Sequence, residues 1–229
     1  MWKIYGIKLP ELMREPLQGQ MDGLPQERQE RIERIRHEKD RYRCLGAGLL
    51  IAYGLCQEGI GREKQVFCRG ENGKPALEEA QGISFNASHA GDYVVVAVAD
   101  CEIGIDLECR RRVHASSVRK CCTRKEQEWL KAQADRELAF LRLWTMKESY
   151  LKWTGEGLRI PLADVETCPS EGEAGRIFRG GVPQPVTLWE YRELPDSHLC
   201  VCMGADVAER ADAGEICWLS WDELKAGIV

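Results

Sequence analysis

The sequence predicts an α+β protein made of two similar α/β halves that meet near residue 102, and three observations carry that expectation. Tyr93–Ala99 is an unbroken apolar run rich in β-branched residues, the composition of a buried strand. Ile103-Gly104-Ile105-Asp106-Leu107-Glu108 follows a short polar break, Asp100-Cys101-Glu102, and alternates as a second strand. The order strand, helix, strands then recurs as strand, helices, strands, without internal identity strong enough to prove a repeat.

Taken in order, Ile4-Tyr5-Gly6-Ile7 reads as the first strand. Pro25 stands near the start of one or two helices that run to about Cys56, because proline is tolerated where a helix begins. The first half of that stretch, residues 27 to 43, mixes arginine and lysine with acidic residues, the pattern of a solvated helical face. Val66–Arg69 and Ile83–Asn86 read as further strands, with Gly91-Asp92 as a tight turn before Tyr93. Helical patterns run from about Ser116 to Lys131 and from about Asp135 to Thr154. The second is apolar on several sides and should be buried. Gly and Pro punctuate residues 170–185, and strands are expected near Val186–Glu193, Leu199–Gly204 and within Glu215–Trp221.

Composition sets bounds on function. With 229 residues, 44% of them hydrophobic, the chain can bury one large core or two modest ones. A net charge of −5 lacks the basic footprint that general nucleic-acid binding needs. The apolar run Tyr93–Ala99 falls far short of the roughly 20 residues that span a bilayer. The amino terminus alternates in polarity and reads as a strand in place of an export signal, so a cytoplasmic protein is expected. Its 11 cysteines, with Cys121-Cys122 and Cys200-x-Cys202 as the tightest spacings, suit neither a zinc site nor a disulfide framework. Reduced, mostly buried thiols are the expectation.

The chemistry is concentrated in three acidic residues and a lysine. In a strand, Ile103, Ile105 and Leu107 face one way and Asp106 and Glu108 the other, side by side. Two carboxylates so placed repel unless a cation lies between them. Glu148 sits in the buried helical stretch, and Lys152 is one turn beyond it on the same face. Taken alone, Asp-x-Glu is an ordinary solvated edge and Glu148 with Lys152 an ordinary surface pair. In an apolar helix, however, an ionised carboxylate must raise its pKa or find a cation. Three oxygen donors and a lysine suit Mg²⁺ carrying a phosphorylated ligand, with Mn²⁺ as the alternative metal.

Four segments, in this order and spacing, resemble the 4′-phosphopantetheinyl transferases of the Sfp type. They are Asn72-Gly73-Lys74-Pro75, Phe85-Asn86-Ala87-Ser88-His89, Gly104–Glu108, and Trp144-Thr145-Met146-Lys147-Glu148-Ser149-Tyr150-Leu151-Lys152 with Gly155-x-Gly157-Leu158 after it. The resemblance implies a monomer whose halves are related by a pseudo-twofold with the active site between them. Residues 1–102 would bind the nucleotide of coenzyme A, and residues 103–229 would hold the metal and do the chemistry. It implies transfer of the phosphopantetheine arm of coenzyme A to a serine of an apo acyl or peptidyl carrier protein, as in secondary-metabolite biosynthesis, with release of 3′,5′-ADP. The metal ligands it implies are Asp106, Glu108 and Glu148. Glu148, as base, and Lys152, as phosphate ligand, would be catalytic. Arg28, Arg31, Arg43, Lys74, Pro75, Ser88, His89 and Lys152 would contact coenzyme A. One departure is Leu107, which stands where a polar residue could have added a ligand. Two rival expectations use the same residues: another metal-dependent phosphoryl-transfer or hydrolytic enzyme, and a non-enzymatic coenzyme A or carrier adaptor.

Overall fold

A computed structural model of the chain describes residues 2–70, 72–79, 82–169, 175–208 and 214–228. The chain is α+β and forms two compact units: Met1–Cys68 with Ala76–Asp100 and Gly214–Val229, and Arg69–Pro75 with Cys101–Ala213. Among the described residues, no helix is long and apolar enough to cross a membrane.

In the first unit four strands lie in the order Ile216–Leu219, Trp2–Lys8, Tyr93–Ala99, Ser84–Ala90. The first pair is parallel and the others antiparallel. The sequence division at 102/103 puts the last strand, Ile216–Leu219, in the second half, whereas it pairs with the first strand of the chain. The helical stretch after Pro25 is two helices, Gln26–Arg34 and Glu38–Gln57, with Ile35 extended between them. The longer helix buries Leu45, Leu50 and Leu55 together with Val94, Val96 and Val98 of the sheet. Each such aliphatic side chain, fully buried, contributes about 1.5–3 kcal/mol. Gly54 lets the helix come close, since a Cβ there would stand 2.6 Å from Val98 Cγ2.

In the second unit a three-stranded antiparallel sheet has the order Val186–Tyr191, Ser197–Gly204, Ile103–Cys109. The helix Arg136–Thr154 packs on it, started by Asp135, whose carboxylate accepts the Leu138 amide at 3.1 Å. The helix ends at Gly155, whose φ of 73° is a left-handed conformation that favours glycine. The helical pattern expected over Ser116 to Lys131 is broken into Ala115–Cys121 and Arg124–Lys131. The break has a local cause: Thr123 and Glu126 form a reciprocal capping box that starts a new helix. Of the punctuated stretch 170–185, residues 170–174 lie outside the described residues. From Arg176 it forms the strands Arg176–Arg179 and Val182–Pro183 beside Val165–Cys168.

Candidate active site

The strand Ile103–Cys109 and the helix Arg136–Thr154 position the acidic residues. Alternation holds as expected: Ile103, Ile105 and Leu107 are at most 1% exposed on one face. The face bearing Gly104, Asp106 and Glu108 is covered by the helix. At Gly104 the approach is backbone to backbone, because a Cβ would stand 2.0 Å from the Ser149 carbonyl oxygen and 2.5 Å from the Trp153 nitrogen. A glycine at this position lets the helix settle directly onto the strand beside Asp106.

Two turns of helix then face that strand with Glu148 and Lys152. The Lys152 ammonium donates to Asp106 Oδ1 at 2.7 Å and to the Ile105 carbonyl at 2.9 Å. Asp106 is buried and Lys152 half-buried, so this ion pair is shielded from water. The Glu108 carboxyl is pushed above its usual range by burial first and by the Asp106 charge. Arg111, Lys152 and a hydrogen bond from Trp144 oppose that shift. Arg111 lies 3.5 Å from Glu108 Oε1 and 5.7 Å from the centre of the Trp144 ring. Glu148 is pushed up to about 7 by burial and by the charges of Asp106 and Glu108, with Lys152 opposing. Its Oε1 is buried with no hydrogen-bond partner among the described residues. All four side chains therefore sense one another electrostatically. Among the described residues, no three ligating side chains are close enough as they stand to hold a metal ion.

Lys74 and Pro75 belong to this same unit. Gly73, with φ 82°, makes the tight turn before them, closed by the Gly73 amide on the Gly70 carbonyl at 2.8 Å. The Lys74 ammonium donates to Glu102 at 2.7 Å and to the Ile103 carbonyl at 3.2 Å, so it is engaged with the start of the carboxylate-bearing strand.

The remaining expected residues lie in the first unit. Arg28 is half-buried, its stem against Gly48 and its guanidinium donating to the Cys44 carbonyl at 3.3 Å. Desolvation lowers its pKa. Arg43 donates to the Gly91 carbonyl at 2.9 Å and pairs with Asp40. Arg28 and Arg43 thus meet adjoining positions of the helix Glu38–Gln57. Ser88 is buried and His89 exposed on the strand that enters the Gly91 turn, so Arg43 and His89 share that end of the hairpin. Arg31 is exposed on the preceding helix.

Two participants were not singled out from sequence. Trp144 stands in the quoted Trp144–Lys152 segment, and its indole holds Glu108. Arg111 is three residues beyond Glu108, a spacing that gives no signal in irregular chain.

The arrangement, a shielded lysine–carboxylate pair beside two carboxyls of raised pKa, suits the handling of phosphate charge and of a proton. A family model described as the 4′-phosphopantetheinyl transferase superfamily matches residues 102–202, and one described as 4′-phosphopantetheinyl transferase, N-terminal, matches residues 12–101. The chain is 32% identical to the 4′-phosphopantetheinyl transferase gsp of Aneurinibacillus migulanus over 86% of this chain and 83% of that protein. The chain belongs to the Sfp-type 4′-phosphopantetheinyl transferases. It is 30% identical to 4′-phosphopantetheinyl transferase Sfp of Bacillus subtilis (strain 168) over 86% of this chain and 83% of that protein. With 4′-phosphopantetheinyl transferase ffp of Bacillus subtilis the identity is 29% over 97% of this chain and 99% of that protein. The activity is transfer of the phosphopantetheine moiety to carrier proteins, with coenzyme A as substrate. Both rival expectations, a different phosphoryl-transfer or hydrolytic enzyme and a bare adaptor, are set aside.

Proposed function

We propose that this transferase moves the phosphopantetheine arm to a serine hydroxyl of an apo carrier protein and releases 3′,5′-ADP, with Mg²⁺ held by Asp106, Glu108 and Glu148. The observation that carries the proposal is the state of Glu148. A carboxyl raised to about 7, with one buried oxygen lacking a partner and two neighbouring carboxylates repelling it, is the donor set that a hard divalent cation neutralises. Oxygen donors and the absence of thiolate or imidazole from the set fit Mg²⁺ or Mn²⁺ better than softer metals. When bound, the cation supplies charge neutralisation on the pyrophosphate whose bridging bond breaks.

The chain's own residues do the rest. Lys152, anchored on Asp106, presents its ammonium to a phosphate oxygen and offsets charge that develops there as the bond breaks. Glu148 accepts the serine proton through its carboxylate, directly or by way of a water. Trp144 and Arg111 hold Glu108 in orientation. In binding coenzyme A we assign Lys74, Pro75 and Lys152 in the second unit, and Arg28, Arg31, Arg43, Ser88 and His89 in the first. The nucleotide falls to residues 1–102, and metal and catalysis to residues 103–229. One chain carries every residue assigned, which supports a working monomer. The net charge of −5 supports partners other than nucleic acids, and the absence among the described residues of a membrane-crossing helix supports action away from the bilayer. All 11 cysteines are free thiols, which supports a cytoplasmic site of action.

The test is direct. Incubated with coenzyme A, Mg²⁺ and an apo carrier domain, the protein should add one phosphopantetheine arm to the carrier by mass spectrometry, and a chelator should stop it. Full turnover with chelator present rules out the metal assignment.

A further inference from the structure

The residue just before Glu148 is also charged, yet it faces away from the carboxylates. Lys147 and Glu126 form an ion pair of 2.6 Å with side chains 1% and 2% exposed. So complete a burial costs each ion its hydration, and the attraction between them roughly offsets that cost, so stability alone is a poor account of the pair. Its hydrogen bonding is unusually complete. The three Lys147 protons have three acceptors: Glu126 Oε2 at 2.6 Å, the Cys121 carbonyl at 2.7 Å and the Leu162 carbonyl at 3.0 Å. Glu126 in turn accepts the Thr123 amide at 2.7 Å, the Thr167 amide at 2.7 Å and the Thr167 hydroxyl at 2.8 Å.

Through these bonds the helix Arg136–Thr154 is tied at one point to four pieces of backbone: the end of Ala115–Cys121, the start of Arg124–Lys131, the turn at Leu162 and the strand Val165–Cys168. Apolar neighbours such as Leu143, Met146 and Leu151 bury the helix but tolerate small rotations. Directed hydrogen bonds do not. Successive residues on a helix are about 100° apart, so whatever fixes the azimuth of Lys147 fixes that of Glu148. Lys152 is held from the opposite side by Asp106 and Ile105.

We propose that Lys147 and Glu126 are positioning residues for the transfer reaction, a buried polar clamp that sets the rotation of the helix so that Glu148 and Lys152 meet the reacting groups. The inference rests on Glu148 and Lys152 being the working residues, as assigned above.

Three variants test it beside Glu148→Gln. Lys147→Met leaves Glu126 buried without its counter-ion and should lower the melting temperature sharply. Lys147→Met combined with Glu126→Gln removes both charges, keeps the hydrogen bonds to Thr167, and should recover most of that loss. In the double variant kcat for carrier modification should nonetheless stay down by about tenfold or more, with KM for coenzyme A within about twofold of the parent. A merely structural pair predicts the opposite, kcat returning together with the melting temperature. Thr167→Val, which deletes one bond to Glu126, should lower kcat by about two- to fivefold at constant KM, and it decides the matter if the double variant does not fold. Parental kcat in the folded double variant, or in Thr167→Val if that is the only folded protein, overturns the clamp. If Glu148→Gln retains turnover, the active-site assignment fails instead; an inactive Glu148→Gln beside a fully active double variant sinks the clamp alone.

Discussion

Two long helices lie on two small sheets in this protein, and what each buries is different. Glu38–Gln57 buries aliphatic and small residues, with Tyr42 near its start, and uses glycines to approach its strands. Arg136–Thr154 buries Thr145, Lys147 and Ser149 among its apolar residues and keeps Glu148 and Lys152 half-buried beside the sheet. The first helix is explained mainly by hydrophobic burial, with one buried hydroxyl, that of Tyr42, satisfied by the Glu15 carbonyl. The second accepts a desolvation cost at several positions, and a fold tolerates that where the polar groups are put to use.

The largest expected effect tests that contrast at its centre. Glu148→Gln should keep the shape of the side chain and lose the proton acceptor and one ligand charge, reducing kcat for carrier modification by roughly 10²–10⁴-fold. Calorimetry should find coenzyme A still bound. Near-normal turnover would make the second helix as inert as the first and remove the reason given for its polar burial.

Much of this contrast was legible in the sequence. The helix from about Asp135 to Thr154 is observed as Arg136–Thr154 with Asp135 as its cap, because a long apolar pattern between an acidic cap residue and a glycine leaves few alternatives. Tyr93–Ala99 and Ile103–Glu108, the latter observed as Ile103–Cys109, are equally plain, since β-branched content and alternation are local signals. Pairing between distant segments is not, and so a division at 102/103 puts the last strand in the second half although it lies parallel to the first strand. At the site, the acidic residues announced themselves by their spacing. Lys147 did not, because in sequence it is merely the neighbour of Glu148, and only the folded chain reveals that Glu126, 21 residues earlier, meets it. Lys74 stands out in sequence through its motif, whereas its contacts with Glu102 and Ile103 become visible only in the folded chain.

The close approach at Gly104 gives the next effect in size. Gly104→Ala places a methyl carbon where Ser149 oxygen lies 2.0 Å away, so helix and strand must part. Overpacking of this kind costs about 1–3 kcal/mol. Thermal melting should register that loss, and kcat should fall further than coenzyme A affinity, because the displaced elements carry Asp106 and Glu148. Gly19, in contrast, has open space around it and should accept alanine without measurable loss.

A smaller effect should appear in the pH dependence of metal-free protein. Glu148 is raised from 4.5 to about 7, so the folded state holds its proton more tightly than the unfolded chain does. The corresponding stability is fully present below about pH 4.5 and is lost as pH rises through 7. With partial exposure discounted, the loss is on the order of 2 kcal/mol. Melting curves of the parent and of Glu148→Gln should therefore diverge between pH 4.5 and 7, with the parent falling relative to the variant, and added Mg²⁺ should close the gap. Parallel curves without metal would show that Glu148 is already ionised and neutralised by Lys152.

The smallest effect sharpens the comparison from the side of the first helix. Arg43, on Glu38–Gln57, donates to the Gly91 carbonyl at 2.9 Å and pairs with Asp40, with its side chain 18% exposed. If the first unit binds coenzyme A and the second does the chemistry, Arg43→Ala should raise KM for coenzyme A by about tenfold, the scale of one charge-assisted hydrogen bond, and leave kcat within about twofold. A ligand contact made equally in the ground state and the transition state has that signature. A fall in kcat at constant KM would mean that Arg43 stabilises charge that develops only as the phosphate bond breaks. The helix whose burial is mainly apolar would then also serve the reaction through a residue at its rim, and the division of labour between the two helices would give way to a shared one.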